Sequence, residues 1–187
     1  MLYPEIINVK KANVILKMMI FISIIVSAIC IFINIIINKR LSWSILVISG
    51  IIYSWITTMY SIKKNVNIAS HVMLQTISMS FLLVIIDLAI GYKGWSLNIA
   101  LPIVISVSNI TMMILTVITY NKYFKYAIYE VIIFLWSLIP ILLVIFKVIT
   151  ILIPTVLSIA ISIFTLVTTT LMCGKDLREK LERVFHI

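Results

Sequence analysis

The chain has 187 residues, of which 63% are apolar and only 11% charged, and its formal net charge is +9. Soluble domains are about 45–50% apolar and about a quarter charged, so a globular fold of this size has no interior large enough for so much apolar surface. Disorder is excluded on the opposite ground, because disordered chains are poor in hydrophobic residues.

A helix needs about 20 apolar residues to cross the roughly 30 Å hydrocarbon core of a bilayer. Six segments meet that need, at 14–37, 41–61, 68–90, 95–120, 126–146 and 150–172. They predict an all-α membrane protein, a bundle of six transmembrane helices. The expected organisation is a cytoplasmic N-terminal segment over 1–13, a six-helix domain over 14–172 and a cytoplasmic tail over 173–187. The first segment follows Lys10 and Lys11 and opens on Lys17. Its apolar run is too long for a signal peptide, and no small-residue cleavage site follows it. Continuous apolar runs without alternation argue against a β-barrel.

Basic residues give an orientation. One side of the six spans collects Lys10, Lys11, Lys17, Lys63, Lys64, Lys122, Lys125, Lys175, Arg178, Lys180 and Arg183, and the other only Lys39, Arg40, Lys93 and Lys147. Positive residues in short loops favour the cytoplasm, so both termini are expected inside. The net charge then needs no nucleic acid to explain it. Trp43, Tyr92 and Trp95 fall at the outer boundary, and Tyr60, Tyr120, Tyr123 and Tyr126 at the inner one, depths that suit amphipathic rings.

The tail is different in character. Leu177, Leu181, Val184 and Phe185 recur at helical spacing, and Asp176–Lys180, Arg178–Glu182 and Glu179–Arg183 are each four residues apart. That pattern predicts a short C-terminal amphipathic helix on the inner leaflet. A solvated stub ending the last span is the competing reading.

A period of 52 residues relates the even-numbered spans. It aligns Trp43-Ser44 with Trp95-Ser96, Gly50 with Pro102 and Pro154, and Ser54 with Ser106 and Ser158. Three parallel helical hairpins would produce it, and parallel repeats occur in transporter folds. In an alphabet rich in Ile, Leu, Val and Ser, such columns also arise by coincidence. The odd-numbered spans show none.

Ionisable residues inside a span are functional candidates by default, and depth sorts them. At about 1.5 Å per residue, Asp87 lies near the outer end of the third span, while His71 and Glu130 lie near inner ends. None falls at the midplane, which counts against proton-coupled transport. His71 and Glu130 share a leaflet and could pair, with Gln75 one turn deeper, but separate contacts with the interface are the preferred reading. For Asp87 a link to Lys93 or a lipid headgroup is preferred over an outward vestibule. Ser78, Ser80, Ser106, Ser108 and Asn109 read as interhelical packing and hydrogen-bonding residues.

Chemistry finds little support. Two histidines and two cysteines are too few and too scattered for a metal site. No phosphate-binding glycine loop, nucleophile elbow or acid–base carboxylate pair is present outside the tail. No enzyme activity and no cofactor are expected.

Tyr3-Pro4-Glu5, Leu41-Ser42-Trp43-Ser44, Gly94-Trp95-Ser96, Leu101-Pro102-Ile103 and the ending Leu181-Glu182-Arg183-Val184-Phe185-His186-Ile187 together resemble a family of small bacterial six-span membrane proteins of unknown function. Members often carry an N-terminal zinc ribbon of paired Cys-x-x-Cys motifs. No such motif is present in this chain, so the resemblance implies a fold and a location but no zinc site and no mechanism. The expected role is that of a non-enzymatic accessory, assembly or protective factor acting through the bilayer, a second copy or another membrane protein. A small transporter or channel of three hairpins is the alternative, and it requires Ser54, Ser106 and Ser158 to line one cavity.

Overall fold

The computed structural model describes the backbone at 9–37, 42–62, 67–118 and 123–185, and side chains at 14–37, 43–62, 67–118 and 128–171. Its elements are α1 (Val9–Ile37), α2 (Ser42–Ile62), α3 (Ile68–Ile90), α4 (Leu101–Ile118), α5 (Tyr123–Ser137), α6 (Ile139–Ile145) and α7 (Leu152–Phe185). A single turn of π-helix, Ser96–Ala100, leads into α4. Six helical segments are long and apolar enough to cross a membrane, and each matches an expected span to within a few residues.

Two of the three prolines in the spans shape the backbone around them. Pro102 lacks the N–H that would reach back to Asn98, and the turn before it widens, so that the Leu101 N–H bonds to Ser96 O. Pro140 splits the fifth span at Leu138 into α5 and α6. Pro154 sits in the first turn of α7, where a missing N–H costs nothing.

The helices pack in a line that ends in a cluster. α1 rests on α2, α2 on α3, α3 on α4 and α5, and α4 and α5 pack on each other and on α7, with α4 against α7 the most extensive pairing. Only 6% of the α1 and α2 spans is buried, against 33% for the fourth span and 28% for the sixth. Burial is inverted relative to a soluble protein: Ser, Thr and Asn dominate the interior, while Ile, Val, Leu and Phe cover the outside. An apolar centre of Ala69, Met112 and Ile133 joins α3, α4 and α5.

The last helix corrects one expectation. α7 runs unbroken from Leu152 to Phe185, passing Gly174. The tail backbone therefore continues the sixth span instead of forming a separate helix turned along the membrane surface. The tail charge pairs lie outside the described side chains. So do Lys10, Lys11, Lys39, Arg40, Lys63, Lys64, Lys122, Lys125, Tyr120, Tyr123, Tyr126 and the terminal motifs.

Candidate functional site

Polar side chains gather at three places: along the α4–α7 interface, at the loop end nearest Asp87, and in a groove between α3 and α4. The interface comes first. On α7, Thr155, Ser158, Ser162, Thr165 and Thr169 recur every three or four residues, and each is at most 2% exposed. This spacing keeps one stripe of small residues towards a neighbouring helix and lets the backbones approach closely. Each of these hydroxyls except that of Thr155 donates to a carbonyl of its own helix. From α4, Asn109 Nδ2 donates to Ser162 Oγ (2.8 Å), and its Oδ1 accepts from Thr165 Oγ1 (3.4 Å).

Two buried atoms in this seam are unsatisfied. Glu130, 2% exposed, accepts from Thr169 Oγ1 at 2.7 Å through Oε1, while its Oε2 has no partner. Thr155 Oγ1 also has none. They mark opposite ends of the seam, about 21 Å apart along α7. Unpaired buried polar atoms are rare.

At the other end of α3, Asp87 is fully buried and does not face an open vestibule. Its carboxylate accepts from the backbone N–H of Lys93 (2.9 Å) and from the N–H (3.2 Å) and Oγ (2.8 Å) of Ser96. The link with Lys93 thus runs through the main chain. Gly91 makes this possible: at φ 108° it closes α3 by donating to Leu88 O, while Tyr92 donates to Asp87 O. One turn on, Asn98 Nδ2 donates to Gly94 O, and Asn98 Oδ1 accepts from Thr150 N (2.8 Å), Thr150 Oγ1 (3.2 Å) and Ile151 N (2.9 Å). Asp87 therefore caps the entry to α4, and Asn98 ties that entry to the start of α7.

The groove lies near the opposite surface. Ile68, His71, Val72 and Gln75 of α3 and Val107, Ser108 and Thr111 of α4 line a volume of about 350 Å³. α2 closes one flank: Ser61 Oγ lies 2.6 Å from His71 Nε2, Tyr60 stacks edge-on against the imidazole, and Tyr53 OH donates to Gln75 Oε1. Across α3 and α4, Thr76 Oγ1 donates to Ser108 Oγ at 2.6 Å. His71 and Glu130 have separate partners, on α2 and α7 respectively. Among the described residues no three His, Cys, Asp or Glu side chains converge to hold a metal ion.

Residues 3–187 match the pattern of a sequence family. The chain belongs to DUF6320, a family of unknown function. No curated protein and no solved structure matches it. In this DUF6320 chain the matched stretch takes in both terminal motifs, Tyr3-Pro4-Glu5 and the ending at Ile187.

The repeat positions fall in unequal surroundings. Ser54 is exposed, Ser106 half-buried and Ser158 fully buried, and each donates to a carbonyl of its own helix, those of Gly50, Pro102 and Thr155. Gly50 and Ser54 border a groove between α1 and α2, whereas Pro102 and Ser158 are buried in the α3–α7 cluster. Sequence reasoning passed over two centres of the site, Asn98 and the α7 stripe. The stripe has a readable signal, its three- and four-residue spacing. Asn98 has none, because its partners are 52 and 53 residues away.

Proposed function

We propose that this chain is a non-enzymatic integral membrane protein of a bacterial cytoplasmic membrane, with both termini inside, and that it acts by holding a partner transmembrane helix against the α1–α2 hairpin. The observation that carries this reading is the groove between α1 and α2. It measures about 410 Å³ and is lined by Met19, Ser23, Val26, Gly50, Ser54 and Trp55 among others. A Cβ built on Gly50 meets nothing within 4 Å. Gly50 and Ser54 form a small-x-x-x-small pair, the pattern that admits close helix approach in lipid. The chain reads as three hairpins in one orientation, the second and third forming the core and the first an arm. Orientation rests on the basic residues gathered on one side of the spans.

Transport is the weaker reading, because a shared pathway needs the three repeat serines in one environment and they occupy three. Photo-crosslinkers at Gly50 and Ser54, with Ile163 on the lipid-facing side of α7 as control, test the docking in native membranes. The expected result is one defined membrane-protein adduct from the arm alone, lost in Gly50→Leu at unchanged thermal stability. Adducts to lipid only, or the same adducts from Ile163, would overturn it.

A further inference from the structure

The groove between α3 and α4 offers a second site, apart from the groove between α1 and α2. Its depth follows from helix geometry: His71 lies about 5 Å and Gln75 about 10 Å from the start of α3. Its walls are mixed, with Ile68, Val72 and Val107 apolar and His71, Gln75, Ser108 and Thr111 polar. Tyr53 occupies Gln75 Oε1, and Ser61 occupies His71 Nε2. That leaves the Gln75 amide N–H groups and His71 Nδ1 without partners among the described residues; Nδ1 is a donor in the tautomer whose Nε2 accepts from Ser61. Water cannot serve them freely inside a bilayer, where an unpaired amide donor is costly.

The groove therefore calls for a ligand that supplies acceptor oxygens at the membrane boundary and an apolar tail below it. A phospholipid has that arrangement, with its phosphate and ester oxygens above its acyl chains. Charge narrows the class. In sequence Lys63 and Lys64 come shortly before Ile68 and His71, on the side of the spans where basic residues concentrate. Lysines close to a membrane boundary attract anionic headgroups.

We propose that the α3–α4 groove binds one anionic glycerophospholipid, whose phosphate and ester oxygens accept from Gln75 and His71 while an acyl chain lies along Val72 and Val107. This rests on the membrane reading above but not on docking at the α1–α2 arm. The site holds the lipid against helices already ordered by Thr76–Ser108 and Ser61–His71, so little is spent on ordering the protein.

Native mass spectrometry of the full chain in an uncharged maltoside detergent tests this, with phosphatidylglycerol, phosphatidylcholine and glycerol 3-phosphate as probes. One phosphatidylglycerol should be retained per chain in preference to phosphatidylcholine. Gln75→Leu should weaken retention by about 3- to 10-fold, the worth of one hydrogen bond. Val107→Trp, which fills the groove without removing a hydrogen bond, should weaken it at least as much, and it keeps the test valid if Gln75→Leu misfolds through Tyr53. Equal retention of both lipids, or retention unaffected by Val107→Trp, overturns the proposal. Competition by glycerol 3-phosphate at matching concentration also overturns it, in favour of a soluble anion site.

Discussion

The α3–α7 cluster and the α1–α2 arm are built from nearly the same residues and are held together differently. Mean hydropathy is highest in the first span, 3.0, yet only 6% of it is buried, whereas the fourth span at 2.1 is 33% buried. In water the more apolar helix would be the more buried one. In lipid an Ile gains nothing by leaving the tails for another helix, so association depends on close packing and on polar groups finding partners. α4 and α7 have both, through Asn109, Ser162 and Thr165. Among the described residues, α1 reaches α2 through Asn34 Nδ2 donating to Ser44 Oγ at 3.1 Å, with Cys30 the other buried side chain in that span. Hydropathy thus places a helix in the membrane, and polar placement decides its neighbours.

If that contrast is right, the largest losses come from polar residues in the cluster. Asp87→Leu leaves three donors unpaired, the main-chain N–H of Lys93 and the buried N–H and Oγ of Ser96. Bonds to a charged acceptor are worth about 1.5–3 kcal/mol each, and orphaned donors add to the loss, so unfolding should be easier by about 3 kcal/mol or more. Asn98→Ala follows at about 2 kcal/mol, since Oδ1 serves Thr150 and Ile151 together. Reversible unfolding in mixed micelles measures both. A loss below about 0.5 kcal/mol in either would show that the loops do not hold α4 and α7. A double-mutant cycle on Asn109→Leu and Ser162→Ala should give a coupling near 0.6 kcal/mol, the average for hydrogen bonds in membrane proteins.

How much of this was legible follows from the same contrast. All six spans were readable because a run of about 20 apolar residues is a property of the chain alone. The break at Leu138 was less so: Pro140 marked a kink, but whether it separates two helices depends on the packing around Ser137, fully buried and bonded to Phe134 O at 2.6 Å. The amphipathic pattern of the tail suggested a separate helix, and α7 instead runs unbroken into it through Gly174. For the site, the residue types at Asp87, His71, Gln75 and Glu130 stood out, and of their partners Lys93 alone did, which binds Asp87 through its main chain. Asp87 finds the main chain of its own loop only because Gly91 and Gly94 take positive φ. The 52-residue columns were visible too, yet equal spacing did not bring equal burial, since α2 packs on α3 and outside the cluster that holds α4 and α7.

A smaller effect should carry the opposite sign. Lys147 closes α6 at φ 58°, donating to Val144 O at 2.9 Å while Val148 donates to Leu143 O at 2.9 Å. This is the hydrogen-bond pattern that Gly91 and Tyr92 make after α3, with a lysine where glycine fits without strain. A left-handed conformation costs a non-glycine residue roughly 1–2 kcal/mol, partly offset by the greater freedom glycine regains on unfolding. Lys147→Gly should therefore stabilise the protein by up to about 1 kcal/mol. A loss of stability would mean that the lysine side chain contributes something its backbone geometry conceals.

The smallest effect expected is also the one that best separates arm from cluster. Phe32 and Ile24 on α1 are 66% and 62% exposed, large apolar side chains with little protein around them. In a soluble core, truncating Phe to Ala costs about 3–5 kcal/mol, through lost transfer energy and a cavity. Facing lipid, neither term applies, because the tails refill the space and are as apolar as the side chain removed. Phe32→Ala and Ile24→Ala should each change unfolding free energy by less than about 0.5 kcal/mol. A loss several times larger would mean that these positions are covered in the membrane, by a second copy or by another protein. The arm would then be already occupied, and its isolation would be a property of the lone chain only.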